Sequence, residues 1–173
     1  MNIAETDRLI LRRFELEDAA FILELVNDPA FLEHIGDRGV RNPEDARRYL
    51  RDGPLASYEQ FGFGLFRTDL KATGQPIGMC GLLQREYLDD ADVGFAFLPA
   101  FRRQGYATES ARAVLDYGRR TLGMRRILAF TSLENTGSAR VLENIGLTYQ
   151  REFRLPDGET VRLFGPALEI HSS

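Results

Sequence analysis

The sequence predicts a single α+β domain, a sandwich in which helices flank a central mixed, mostly antiparallel sheet. Its 173 residues are 43% hydrophobic and 28% charged, which is the balance of one well-packed domain. Three consecutive segments in the middle of the chain have strand character and short polar connections, which is typical of an antiparallel meander. Segments with helical periodicity precede and follow this meander, so helices are expected to cover the sheet. We therefore expect residues 1–173 to form one domain.

The N-terminal part of the chain predicts one strand and two helices. Residues 9–11 are apolar and flanked by arginines, as in a short strand, and residues 17–28 have the apolar spacing of a helix. A second helix begins at Asn42, which suits a helix cap, followed by Pro43, which suits the first helical position. The intervening residues 29–41 are expected to form a loop.

The predicted meander consists of residues 61–67, 76–84 and 92–98. The first strand alternates glycine with bulky apolar residues, and the second begins at a proline. A loop at 102–107 then leads into a helix whose apolar stripe continues to Leu122. This order predicts a strand, loop and helix unit.

The C-terminal part predicts a strand at 126–132 and a helix that starts at Asn135 and ends at Gly146. Residues 147–155 and 160–170 read as the two strands of a hairpin that turns at an Asp-Gly pair. These elements complete the sandwich.

Soft and imidazole side chains are scarce. Cys80, His34 and His171 are too few for a zinc site or a disulfide framework, so we expect no metal site. Cys80 lies inside a predicted strand and is interpreted as a buried, inert thiol. His34 lies in the predicted loop and is interpreted as exposed, with a place in a substrate site left open. A Ser-His-Asp hydrolase is disfavoured because the chain has no Gly-x-Ser-x-Gly turn.

The charge distribution bears on the partners of this protein. Its 22 basic and 26 acidic residues give a net charge of −4, which argues against nucleic-acid binding in general. Seven arginines nevertheless lie between 102 and 126, which keeps a nucleic-acid-binding domain as one alternative. No apolar run approaches the roughly 18 residues of a membrane span, and the N-terminus is polar, so we expect a cytoplasmic protein without membrane contact.

The loop at 102–107 has the features of an anion site. A glycine-containing turn between a strand and a helix presents backbone N–H groups and the positive helix end to an anion, most naturally a phosphate. The loop lacks the Gly-Lys-Ser/Thr of nucleotide-triphosphate loops and the three glycines of a dinucleotide fingerprint. Neither common phosphate motif therefore explains it.

The loop resembles the pyrophosphate loop of the GNAT superfamily of acyl-CoA-dependent N-acetyltransferases, in particular its RimJ/RimL-like branch. That loop reads Arg/Gln-x-x-Gly-x-Gly/Ala, which Arg102, Gly105 and Ala107 match. The resemblance extends along the chain to the first strand of that branch, to the strand before the loop and to its Asn-x-x-Ser helix, at residues 6–12, 92–95 and 135–138.

The resemblance implies that acetyl-CoA binds here and that coenzyme A is the product. The strands at 92–98 and 126–132 would be parallel and splayed like a V, with the pantetheine arm in the gap, bonded by backbone groups of Phe97 and Leu98. The other implied cofactor-binding residues lie in the loop, where Arg102 or Arg103 would add charge, and at the start of the later helix: Arg102, Arg103, Gln104, Gly105, Tyr106, Ala107, Thr108, Asn135 and Ser138.

Acetyl transfer to an amine also needs groups that handle protons. An α-amine has a pKa of about 8 and a lysine amine about 10.4, so a base must deprotonate the acceptor. Asp92 is the first candidate and Glu86 the second, since both lie in an acidic segment that leads into the cofactor strand. Many family members protonate the leaving thiolate with a tyrosine, but Leu142 occupies that position, so Ser138 is the candidate. A backbone N–H near Phe97 is expected to hold the oxyanion.

The resemblance therefore implies an N-acetyltransferase in which a primary amine attacks acetyl-CoA directly within a ternary complex. The acceptor is either a protein or peptide N-terminal α-amine or a small amine such as an antibiotic, an amino acid or a polyamine. A non-catalytic acyl-CoA-binding sensor is the alternative from another class. The protein is expected to be a monomer or a homodimer.

Overall fold

The computed structural model describes residues 2–167. His171 and the last three residues of the strand predicted at 160–170 lie outside the described residues. Within residues 2–167, none of the helices is long and apolar enough to cross a membrane.

Eight strands and six helices are present in the described part of the chain. The strands are β1 (Asn2–Glu5), β2 (Leu9–Arg13), β3 (Leu65–Leu70), β4 (Pro76–Leu83), β5 (Asp92–Phe97), β6 (Ala129–Ser132), β7 (Thr148–Arg154) and β8 (Thr160–Gly165). The helices are α1 (Ala19–Leu25), α2 (Pro29–His34), α3 (Pro43–Leu50), α4 (Ala56–Phe61), α5 (Tyr106–Asp116) and α6 (Thr136–Asn144). A π-helical turn at Arg51–Leu55 joins α3 to α4, and another at Tyr117–Thr121 extends α5.

The strands form two antiparallel sheets joined at one point. The first sheet has the order β1-β2-β3-β4-β5 and the second the order β6-β8-β7. A single parallel bridge links β5 to the chain just before β6: Val93 N–H donates to the Leu128 carbonyl (2.8 Å) and Leu128 N–H to the Ala91 carbonyl (2.9 Å). Beyond this bridge the two strands separate, which confirms the predicted mixed, mostly antiparallel sheet with one splayed parallel pair.

The two faces of the first sheet carry different helices. On one face, Val93 and Phe97 belong to the apolar cluster that includes Val114 and Leu115 of α5. On the other face, Ala96 packs against the cluster that contains residues of α1, α2 and α3. Since side chains alternate between the faces of a strand, β5 contacts α5 with one set of residues and the N-terminal helices with the other.

Three element predictions are wrong in detail. The predicted loop at 29–41 begins with α2, because Asp28 caps a helix by accepting a hydrogen bond from Phe31 N–H (3.3 Å). The strand predicted at 61–67 begins only at residue 65, because α4 occupies the residues before it and Gly62 ends that helix in the left-handed conformation (φ 82°). The short edge strand β1 was not predicted at all.

Gly81 permits the close approach of β4 to β3. A Cβ atom at this position would lie 2.1 Å from the Gly64 carbonyl oxygen and 2.6 Å from the Leu65 Cα atom. We expect Gly81→Ala to lower the free energy of unfolding by about 2 kcal/mol, because backbone must move to admit the methyl group. Urea denaturation measures this change. Gly53→Ala is the control, since its Cβ would meet open space; equal stability of the two variants would contradict the prediction.

Candidate active site

The open ends of the splayed strands leave backbone groups available for a ligand. Leu98 N–H donates to the Ile77 carbonyl of β4 (2.9 Å). Because alternate residues of an antiparallel strand bond to the same neighbour, the backbone groups of Phe95 and Phe97 face the gap instead. The Phe97 carbonyl accepts a hydrogen bond from Arg102 Nε (3.1 Å). The N–H groups of Phe95 and Phe97 and the Phe95 carbonyl bond to no other strand within residues 2–167.

The N-terminus of α5 is open. Gly105 precedes the helix in the left-handed conformation (φ 84°), and Arg103 is the one non-glycine residue with positive φ (61°) in the described part of the chain. Side chains cap α2, α3 and α6, but none caps α5. Among the described residues, the backbone N–H groups of 103–108 donate to no protein acceptor. These donors, together with the helix dipole, favour an anion at this point.

Arg8 contributes a positive charge beside this loop, and the sequence analysis did not identify it. Its guanidinium lies 4.2 Å from the centre of the Tyr106 ring, and its Nε is 2.7 Å from a Glu109 carboxylate oxygen. A Cβ atom on Gly105 would lie 3.3 Å from Arg8 Nη2. The resemblance at residues 6–12 marked this segment as a strand, but only folding brings Arg8 next to α5.

The Arg102 side chain is engaged within the protein. Besides its bond to the Phe97 carbonyl, it forms an ion pair with Asp28, whose side chain is only 5% exposed. Asp28 also caps α2. This ion pair therefore ties the start of α2 to the loop after β5, while Arg103 is exposed.

The other end of α2 contacts β6. His34, the last residue of α2, forms a hydrogen bond between its Nδ1 and the Oγ of Ser132, the last residue of β6 (3.0 Å). Both residues line a cavity of about 210 Å³, together with Glu33, Glu134 and Glu159. The helix α2 thus spans from the open end of β5 to the open end of β6. The interpretation of His34 as an exposed loop residue is wrong, because its side chain is 23% exposed and lies on a helix.

Asn135 and Ser138 lie on the first turn of α6, directly after β6. The Asn135 side-chain oxygen accepts a hydrogen bond from Ser138 N–H (3.1 Å), so Asn135 is the cap of this helix. Both residues are half-buried. Leu142, at the position where many family members have tyrosine, is fully buried in the core.

The two carboxylates predicted as bases lie away from the loop. Asp92 is 2% exposed at the joined ends of the strands, where Arg85 Nε contacts its carboxylate at 2.9 Å. Burial raises the pKa of the Asp92 carboxyl, and the Arg85 guanidinium offsets this only in part. Glu86 is exposed on the preceding turn.

Cys80 is fully buried in β4, and burial raises the pKa of its thiol to about 12. A thiol reacts as the thiolate, so this group is inert near neutral pH. The prediction of a structural thiol is confirmed.

Comparison with known proteins identifies the family. The family described as acetyltransferase (GNAT) domain matches residues 8–148. The chain belongs to the GNAT acetyltransferase family. It is 29% identical over 155 residues to the uncharacterized N-acetyltransferase YnaD of Bacillus subtilis, covering 88% of each chain. Identity to the uncharacterized N-acetyltransferase YoaA of the same organism is 31% over 152 residues, covering 87% of this chain and 84% of YoaA.

Solved structures agree with this assignment. The crystal structure of a GNAT-family acetyltransferase from Bacillus anthracis matches 95% of this chain and 97% of its own, with a TM-score of 0.79 and 27% identity. The GNAT family uses acetyl-CoA. This GNAT protein is therefore an N-acetyltransferase, and its fold is the one that the sequence predicted.

Glu109 links the loop between β1 and β2 to α5, which makes that contact sensitive to pH. Partial burial raises the pKa of Glu109, but hydrogen bonds from the Thr6 hydroxyl and from Arg8 outweigh it and lower the pKa. Its stabilising effect is therefore present above the ordinary glutamate pKa and is lost as pH falls through the lower, folded value, below about pH 4.

We expect Glu109→Gln to lower the free energy of unfolding by about 1 kcal/mol at pH 7, with the difference from the unsubstituted protein disappearing toward pH 3. Urea denaturation at the two pH values measures it. Glu24→Gln, at an exposed position on α1, serves as the matched control. A pH-independent difference would show that the charge of Glu109 is not what stabilises the contact.

Proposed function

We propose that this GNAT protein binds acetyl-CoA across the open N-terminus of α5 and the gap between β5 and β6, and acetylates a primary amine by direct attack in a ternary complex. The observation that carries the proposal is the uncapped N-terminus of the longest helix, placed beside two strands that separate. The first feature suits a diphosphate, and the second suits an extended amide chain.

The residues present fit this cofactor. Arg103 and Gly105 both have positive φ, and left-handed residues of this kind occur in the backbone nests that bind anions. Arg8 and Arg103 supply positive charge beside them. Gln104 contributes its backbone, since its side chain donates to the Ala100 carbonyl (2.8 Å). Tyr106, Ala107 and Thr108 complete the first turn of α5.

When bound, acetyl-CoA supplies an activated acetyl thioester. The chain contributes positioning and hydrogen bonds. The N–H groups of Phe95 and Phe97 face the gap and can stabilise the negative charge that develops on the carbonyl oxygen. In this proposal Asn135 would bond the pantetheine end, and the hydroxyl of Ser138, three residues later in α6, would donate to the leaving sulfur. Leu142 stands where many family members have a tyrosine, and it has no hydroxyl that could donate to the sulfur.

The acceptor must lose a proton before it attacks. Asp92 and Glu86 remain the two carboxylates predicted for this task. A raised pKa brings Asp92 closer to the working range of a base. Its burial and its ion pair with Arg85, however, close it to an incoming amine. Glu86 is exposed on the turn that precedes β5.

The acceptor is proposed to be a protein or peptide α-amine, with small amines as the second class. The resemblance to the RimJ/RimL-like branch favours the first class. The cavity between α2, the end of β6 and the β7–β8 turn is the place where either would enter, since all three segments line it.

Two measurements test the proposal. Calorimetry measures the binding of acetyl-CoA, and release of the coenzyme A thiol is then followed across a panel of N-terminal peptides, amino acid amides, aminoglycosides and polyamines. Binding with amine-dependent thiol release supports the proposal. Binding without turnover on any amine would instead indicate a sensor, and failure to bind acetyl-CoA would overturn the assignment of the cofactor site.

Gly105 tests the loop directly. We expect Gly105→Val to weaken acetyl-CoA binding at least 10-fold, because a side chain would strain the positive φ and approach Arg8 where the anion should lie. Calorimetry measures the affinity. Gly123→Val is a matched control, since Gly123 also has positive φ (71°) but lies beyond the other end of the helix with nothing within 4 Å of the added Cβ. Equal affinities for the two variants would show that the loop is not the anion site.

A further inference from the structure

His34 is an imidazole side chain at the open end of the strand pair β5 and β6. Its Nδ1 contacts Ser132 Oγ at 3.0 Å, and its side chain is 23% exposed. Ser132 is the last residue of β6, and its carbonyl accepts a hydrogen bond from Asn135 N–H (3.2 Å). The imidazole is therefore joined through one residue to the start of α6, where Asn135 and Ser138 lie.

The cavity next to His34 is accessible and acidic. Glu33 extends from α2, Glu134 follows β6 and Glu159 precedes β8, and each lines the cavity of about 210 Å³. Within the described residues, no lysine or arginine lines it. These carboxylates are the charged groups that face His34, and their field favours the approach of a protonated amine.

The position of α2 explains why the imidazole is held at this point. Asp28 fixes the first turn of α2 to Arg102 after β5, and His34 fixes its last residue to Ser132. A rotation of the helix would break one of these contacts. The first sheet packs against α5 on one face, and α2 holds His34 on the other face.

An imidazole is also the chemically suitable group. It is the side chain whose ordinary change of charge lies between about pH 5 and 8, so it accepts a proton near neutral pH and releases it to solvent. In the tautomer that carries its proton on Nδ1, which lies 3.0 Å from Ser132 Oγ, the other ring nitrogen keeps a lone pair and lies 4.0 Å from a Glu33 carboxylate oxygen. Asp92, by contrast, is 2% exposed and paired with Arg85.

We propose that His34 is the base that removes the proton from the acceptor amine, with Ser132 holding the ring in position through the hydrogen bond at Nδ1. This inference rests on the proposed function and deepens it. In the complete reaction the ammonium group loses two protons. One passes to His34 and on to solvent; the other reaches the sulfur as the C–N bond forms and the C–S bond breaks.

The first test is the pH dependence of kcat/KM for the best acceptor of the amine panel. The unsubstituted protein should show an acidic limb. His34→Gln, which can still bond to Ser132, should lower kcat/KM at pH 7 about 100-fold and lose that limb while binding acetyl-CoA normally. Leu32→Gln, at an exposed position on the same helix, is the matched control.

Chemical rescue separates proton transfer from a structural role. His34→Ala should be inactive, and imidazole added to the buffer should restore part of its turnover, whereas it should not stimulate Leu32→Gln. Loss of activity in His34→Ala that imidazole does not restore, combined with an acidic limb that survives in His34→Gln, would overturn the proposal.

A measurement independent of turnover uses NMR. The chain has two histidines, so the His34 ring signal is assigned by its absence in His34→Gln. Its titration midpoint should move when a non-acetylatable trimethylammonium analogue of the acceptor is added, and an unchanged midpoint would overturn the proposal. An active protein whose His34→Gln variant is equally active overturns this inference alone. A protein that turns over no amine overturns the proposed function.

Discussion

The parallel bridge between Asp92 and Leu128 is the constraint on which the site depends. It joins two antiparallel sheets at one point and leaves the following residues of β5 and β6 apart. Backbone groups in a sheet normally bond to the neighbouring strand, so the separation is what leaves the N–H groups of Phe95 and Phe97 and the Phe95 carbonyl available. The bridge is maintained by the packing of β5 between α5 on one face and the N-terminal helices on the other.

The helix α2 spans the gap between the open ends of β5 and β6. It has only six residues, and an ion pair at its start and a hydrogen bond at its end hold it in place. Asp28 has two roles, since it caps the helix and neutralises Arg102. A short helix has little stability of its own, so these tertiary contacts determine its position. The helix α2 consequently connects the loop before α5 to the cavity beside His34.

The two sides of the gap carry charges of opposite sign. The loop before α5 carries Arg103 and, within the described residues, backbone N–H groups without a protein acceptor, and Arg8 lies beside it, whereas the cavity on the other side carries three glutamates. This distribution favours an anion on one side of the gap and a cation on the other. Within the described residues, no group of three or more His, Cys, Asp and Glu side chains could hold a metal ion, and the thiol of Cys80 is buried.

By itself the sequence determined the family and the order of most elements, because these follow from local signals such as Gly105 before a helix and Asn42 with Pro43 at the start of another. The tertiary structure decided which side chains meet. The pairs Arg8 with Glu109, Asp28 with Arg102 and His34 with Ser132 are each far apart in the chain, so no local pattern predicts them. The sequence analysis ended a helix at Asp28 and expected a loop after it, whereas in the structure Asp28 caps α2 and its carboxylate also pairs with Arg102, a contact that no local pattern predicts.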